Sequence, residues 1–131
     1  MLVSTKGRYA LRMMIELASR TDCFSSLRDI SGQMCVSVKY LEQIAAALYK
    51  AGLLQSARGA GGGYRLARPA SEITAGDILR ASEGSLASIA CVDGKEGENC
   101  AGCPSRDFWV GLQATINEYA DKYTLEALAQ G

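Results

Sequence analysis

Three of the chain's five cysteines, Cys91, Cys100 and Cys103, fall within thirteen residues of a polar, glycine-bearing stretch, in a chain with no histidine. Thiolates gathered at that density suit a soft metal or an iron–sulfur cluster, whose binding neutralises charge that would otherwise accumulate. A four-ligand centre needs one more donor. Without histidine, the choices are Asp93, Glu96, Glu98, Asp107, water, a small molecule or a residue of a partner subunit. The same thiols also permit metal-free chemistry. Arg106 and a helix start at Pro104 would lower the pKa of Cys103 and favour its oxidation with Cys100. Structural zinc fits less well, because three cysteines with a carboxylate are an uncommon zinc set. Cys100 and Cys103 also form the C-x-x-C of thiol oxidoreductases, but that fold leads a buried strand into the motif and "VDGKEGEN" is polar. Four readings therefore stay open: a cluster, a thiol sensor, zinc or an unused loop, and a catalytic disulfide exchanger.

A loop of this kind needs a scaffold, and 131 residues suffice for one compact unit with an appendage. No run of 18 apolar residues and no leader pattern is present, which points to a cytoplasmic protein without a membrane partner. The odd number of cysteines argues against a disulfide framework. The formal net charge of zero conceals an asymmetry. Residues 1 to 70 carry ten Lys/Arg against four acids, and residues 71 to 131 carry four against ten. A basic first half is what a polyanion-binding module requires.

Cap and periodicity signals divide that half. Ser4 caps a helix to about Ser19 with Leu11, Met14, Ile15 and Ala18 on its core face. Ser26 and Asp29 open a short helix from Leu27 to about Met34. Ser37 caps a third helix, Val38 to Ala51, which is ended by Gly52 and faces Leu41, Ile44, Ala45 and Leu48 inward. Cys23 and Cys35 read as half-buried structural thiols, Cys35 lying in the turn between the two short helices. "LLQSARGAGGGYRLA" then reads as a basic hairpin closed by Pro69. Thr74 with Asp77 caps a further helix ending near Gly84. After the cysteine loop, Pro104 suits the first turn of a long helix to about Lys122. Its stripe of Phe108, Leu112, Ile116, Tyr119 and Tyr123 has nothing left in a small domain to cover it, so a second subunit is the expected cover.

The order helix, turn, helix, basic hairpin is that of a winged helix-turn-helix, a mainly α fold. In it the second helix of the pair enters the major groove and the hairpin reaches a neighbouring groove. On the helix beginning "SVKYLEQI", Gln43 suits a bidentate pair with adenine and Glu42 suits cytosine N4, while Ser37, Lys39 and Tyr40 suit phosphates. At the hairpin, Arg58 suits a narrow minor groove, with Gly59 letting backbone approach phosphate and Arg65 flanking it. The glycine run lacks the Lys-Ser/Thr ending of a P-loop and precedes a strand, which sets nucleotide binding aside.

"STKGRYALRMMIELA", "SVKYLEQIAAALYKAGLLQSARGAGGGYRLA" and "CPSRDFW" together resemble the Rrf-two family of bacterial transcription regulators, over nearly the whole chain. The resemblance implies a homodimer that binds a partly palindromic duplex operator and is not an enzyme. It also implies a long C-terminal helix that crosses to the other subunit. By position, Glu42 and Gln43 match the base-reading pair and Arg58 the wing contact. In cluster-binding members three cysteines occupy this loop, and the first-to-third distance matches, as does Trp109 six residues on. Two features depart from the pattern. The middle cysteine sits next to the third, and Arg106 and Arg8 stand where members place a ligating histidine or an aspartate from the partner's first helix. Both familiar fourth ligands are thus absent, leaving Asp93 and Asp107 as candidates. A two-iron or four-iron cluster, or none, follows from the resemblance, with cluster-free thiol sensing or control of cysteine metabolism as the alternative. The expected organisation is residues 1–84 as the DNA-binding domain, 85–103 as the sensor loop, and 104–131 as dimerisation helix and tail.

Overall fold

The computed structural model describes residues 3–86, 92 and 102–131. Its elements, in chain order, are α1 (Thr5–Ala18), α2 (Leu27–Met34), α3 (Val38–Lys50), β1 (Leu54–Ala57), β2 (Gly63–Leu66), a 3-10 turn (Ala70–Glu72), α4 (Ala75–Glu83), α5 (Arg106–Lys122) and α6 (Leu125–Gln130). The fold is mainly α with one two-stranded antiparallel hairpin, in register Leu54 with Leu66 and Ala57 with Gly63. No helix among the described residues is long and apolar enough to cross a membrane.

Serine and threonine caps open α1 to α4. The side chains of Ser4, Ser26, Ser37 and Thr74 accept hydrogen bonds from backbone N–H groups three residues on, satisfying donors that a helix start leaves orphaned. At α4 the bond is reciprocal: Asp77 N–H donates to Thr74 Oγ1 and Thr74 N–H to Asp77 Oδ2, both at 3.0 Å. In α3 the expected inward face, Leu41, Ile44, Ala45 and Leu48, is fully buried. In α1 burial is centred one position away from expectation. Ala10, Met13, Met14 and Leu17 are fully buried, while Leu11, Ile15 and Ala18 are half-buried. The physical reason is that α1 is the central element, packed by α2, α3, α4, α6 and β2, so it buries more than one face.

The chain's end is a structured element, which periodicity did not indicate. Helix α6 docks on α1 with Leu125 fully buried. Thr124 bridges Thr74, Leu125 N–H donates to Ile73 O at 2.7 Å and Ala75 N–H to Tyr123 O at 2.9 Å. Helix α5 starts at Arg106, with Pro104 in the preceding turn rather than inside the helix. Among its residues only Ala120 is buried; Phe108, Val110, Leu112 and Tyr119 are exposed, as is Tyr123 just after it.

The C-terminal half of α5 is clamped to α4. Arg80 donates through Nη1 and Nη2 to the two oxygens of Asp121, each at 2.8 Å, and through Nη2 to Asn117 Oδ1 at 2.9 Å. Gly76 permits this approach, since a Cβ there would overlap Asp121 Oδ1. The guanidinium hydrogen bonds hold the Asp121 carboxyl below its ordinary range, against a smaller opposing effect of burial. A depressed carboxylate contributes stability above its unfolded pKa and loses it as pH falls through the folded one. Partial exposure of both partners limits the effect to about 1 kcal/mol. The melting-temperature gap between the wild type and Asp121→Asn should therefore be constant above about pH 5 and close below about pH 3. A pH series of thermal melts checks this, and a gap that widens in acid would contradict the clamp.

Candidate nucleic-acid interface and cysteine site

The turn between α2 and α3 is tight because Cys35 takes the left-handed conformation (φ 56°) and donates its N–H to Ser31 O at 2.8 Å. The Ser31 hydroxyl donates to Val36 O across the same turn. Helix α3 is then held against α1 by its buried face and by Tyr40, whose ring meets Tyr9 edge-on at 5.9 Å. These contacts leave Ser37, Lys39, Glu42 and Gln43 exposed in one row at the start of α3. The Ser37 oxygen accepts from Tyr40 N–H at 3.2 Å, so its own proton remains available to an acceptor outside.

The hairpin is tied to this unit through Ser25, buried ahead of α2. Ser25 and Tyr64 exchange two backbone hydrogen bonds of 2.8 Å. At the tip Arg58 is exposed, Gly59 has φ 96°, and Gly62 N–H donates to Gly59 O at 3.0 Å. Arg65 is placed differently from Arg58. Its guanidinium lies 4.4 Å above the Phe24 ring and its Nε donates to Gln55 Oε1 at 3.1 Å. A cation over an aromatic face, bonded to the opposite strand, braces the wing. Tyr40 likewise spends its ring on packing, leaving only its hydroxyl end for a ligand.

One residue that sequence reasoning did not single out lies against this candidate surface. Lys6, at the start of α1, lines an open depression of about 350 Å³ with Ser37, Lys39, Tyr40 and Gln43. Nothing in the spacing of "STKGRYA" says that the start of α1 abuts the start of α3; only the packing does.

At the cysteine site, Cys91, Cys100 and Asp93 lie outside the described residues, as do Glu96 and Glu98. Cys103 is half-buried, its Sγ 3.1 Å from Ser105 Oγ, which also accepts from Trp109 Nε1 at 3.2 Å. Bonds from the Ser105 hydroxyl and backbone push the thiol pKa down against burial, with smaller help from Arg106. Asp107 is exposed in the first turn of α5. Among the described residues no three ligating side chains converge. Cys103 itself fits as a soft donor, since a thiol whose hydrogen bonds favour the thiolate suits a cluster or a thiol switch. Cys23 and Cys35 are both exposed, which corrects the expectation that they are half-buried. Cys23 lies in the turn after α1, and the left-handed cap at Cys35 leaves its side chain out of the core.

Residues 3–131 match a family model described as Rrf2, iron-dependent transcriptional regulator. The HTH-type transcriptional regulator CymR of Bacillus subtilis is 40% identical over 130 residues, covering 98% of this chain and 90% of the relative. A solved structure of B. subtilis CymR, described as the global cysteine regulator, superposes with a TM-score of 0.82 over 99% of this chain and 97% of its own. T. potens IscR superposes at 0.78 with 37% identity, over 99% and 87%. The oxidised form of Staphylococcus aureus CymR gives 0.78 with 40% identity, over 100% and 98%. With a winged helix on the page and transcription regulators rather than enzymes as its relatives, the chain belongs to the Rrf2 family of transcription regulators.

Proposed function

We propose that the chain works as a homodimer that sets two copies of α3 into successive major grooves of a partly palindromic operator. The cysteine loop would report iron–sulfur or redox status to that reading unit. The observation that carries the reading is the exposure of Ser37, Lys39, Glu42 and Gln43 at the start of α3 and of Arg58 at the hairpin tip, all in the basic half of the chain. Gln43 pairs with adenine and Glu42 accepts from cytosine N4; Ser37, Lys39 and the Tyr40 hydroxyl hold phosphates. Arg58 enters the minor groove while Gly59 bends the backbone toward phosphate. Arg65 supports the wing and contacts DNA secondarily. Half-sites lie about one helical turn apart.

Cys91, Cys100 and Cys103 are the proposed ligands of an iron–sulfur cluster, with Asp93 or Asp107 as fourth-ligand candidates. The family's description as iron-dependent and the likeness to an IscR support this. When bound, a cluster supplies a redox-active charge at the root of α5. The protein's own part is mechanical. Cys103 is fastened to Ser105 and through it to Trp109, so a change at the loop reaches the first turn of α5 and biases how the two reading units are spaced. A second reading, cluster-free thiol sensing in control of cysteine metabolism, draws on the downward push of Ser105 on the Cys103 thiol pKa and the likeness to CymR, including an oxidised form.

Two measurements test the proposal. Arg58→Ala should weaken duplex binding and flatten its log–log salt dependence by about 0.9 for each phosphate that the wing no longer neutralises. Unchanged affinity and slope would reject the wing assignment. Anaerobic purification with iron and sulfide analysis separates the two sensing readings: a coloured protein that bleaches in the Cys103→Ala variant supports a cluster, and a colourless one with free thiols supports the alternative.

A further inference from the structure

The depression between α1 and α3 joins four of the expected DNA contacts to one residue outside that set, Lys6. Its five lining residues include two ammonium groups, Lys6 and Lys39, two hydroxyls, Ser37 and Tyr40, and no acid. Neither lysine is paired with a carboxylate among the described residues. Two like charges that line one open depression with no acid among its residues favour an anion there. The depression also lies at the end of α3 that holds the exposed row, so an anion bound in it would be a backbone phosphate flanking the bases that α3 reads.

The first turn of α1, which carries Lys6, is not free to drift. Ser4 N–H donates to Glu83 Oε1 at 2.6 Å, and the Ser4 hydroxyl donates to the same oxygen. Ser4 in turn caps the helix through Gly7 N–H at 3.3 Å. The Glu83 side chain lies flush against that turn, because a Cβ on Gly7 would overlap Glu83 Oε1. Glu83 is the last residue of α4, and Gly84 (φ 84°) then turns the chain into the stretch that leads to Cys91.

We propose that Lys6 is a DNA-phosphate contact completing a notch with Ser37, Lys39 and Tyr40, and that Glu83 is the positioning residue that holds it there. The inference rests on the DNA-binding reading above and adds to it a route within one subunit. A change at the root of the cysteine loop moves Glu83, Glu83 moves the cap of α1, and the cap moves a phosphate contact. This route does not require the two reading units to change their spacing.

The sign of one substitution separates this from simple electrostatics. Removing the negative charge of Glu83, which lies against the start of α1, makes the surroundings of Lys6 more positive, which by charge alone tightens DNA binding. The positioning role demands the opposite. The probe is a mixed-sequence duplex of about 30 base pairs, long enough for two half-sites, titrated by fluorescence anisotropy across a salt series. Lys6→Gln should bind about fivefold more weakly, with a log–log slope shallower by about 0.9. Lys50→Gln, at the far end of α3, should leave the slope as in the wild type. Glu83→Ala should weaken binding despite losing an acid, and Glu83→Gln, which keeps an acceptor for Ser4, should restore it. Ser4→Ala, which removes the hydroxyl half of the latch together with the cap on Gly7 N–H, should also weaken binding, and serves if Glu83→Ala proves unfolded by circular dichroism. Wild-type affinity and slope in Lys6→Gln overturn the notch; tighter binding in Glu83→Ala overturns the latch. If the wild type binds no duplex even at low salt, the DNA-binding reading itself fails, a result distinct from either.

Discussion

Gly63→Ala should destabilise the protein by about 3–5 kcal/mol, a large share of the 5–15 kcal/mol that holds an ordinary domain together. Gly63 has φ 140°, which side chains rarely adopt, and a Cβ there would overlap the carbonyl of Ser25 and come within 2.8 Å of Ser26 N. Every atom it meets is backbone, so no rotamer change relieves the clash. Relief requires Ser25 and β2 to part, which breaks their paired 2.8 Å hydrogen bonds and disturbs the Ser26 cap of α2. Neighbouring glycines give a graded control within one loop. Gly59 has φ 96° but open space around it, so alanine there costs only the left-handed penalty of about 1–2 kcal/mol. Gly61 has neither constraint, and Gly61→Ala should be within about 0.5 kcal/mol of neutral. Urea unfolding of the three variants tests the order. A Gly63→Ala protein no less stable than Gly61→Ala would show that the wing is not seated on Ser25.

That series also marks how far the sequence could be read. "GAGGG" announces a hairpin tip, but two of its glycines are held by backbone: Gly62 by Ala57 across the tip, and Gly63 by Ser25, which no local pattern connects to it. What was legible was local. Caps with a donor three residues on, and a core face repeating at helical spacing, belong to a single turn or two of chain, and α2, α3 and α4 follow them closely. The face of α1 was misphased because a helix packed from several sides has no single apolar stripe. Helix α6 escaped because six residues carry too little propensity to predict a helix; it exists through Leu125 and the bridge from Thr124 to Thr74. The candidate site divides in the same way. Exposure of Lys39, Glu42 and Gln43 follows from the period of α3. The bracing of Arg65 by Phe24 and the arrival of Lys6 beside Ser37 are tertiary facts, as is the placement of Ser105 between Cys103 and Trp109.

Leu112→Glu should convert the proposed dimer to monomers and weaken operator binding by roughly 100-fold or more, the largest loss expected from a single exposed side chain. Leu112 is 38% exposed within one subunit, and Phe108 and Tyr119, on the same stripe of α5, are 62% and 63% exposed. Aromatic and aliphatic groups left open along a helix are withdrawn from water when a second copy covers them, at about 25 cal/mol per Å² of apolar surface. A glutamate at 112 stays solvated in the monomer, so the fold should melt within a few degrees of the wild type. At a paired interface the same carboxylate would be buried without a partner, a cost of about 3–5 kcal/mol. The loss on DNA follows from valency: two reading helices on one body bind the second half-site at high effective concentration, and a monomer forfeits that gain. Sedimentation velocity gives the mass and anisotropy on the duplex gives the affinity. A wild type that sediments as a monomer, or a Leu112→Glu variant that stays dimeric, would remove α5 from the interface. In that case the spacing of the reading units would have to be set elsewhere, and of the two proposed routes from the cysteine loop to DNA the latch from Glu83 to Lys6 would remain.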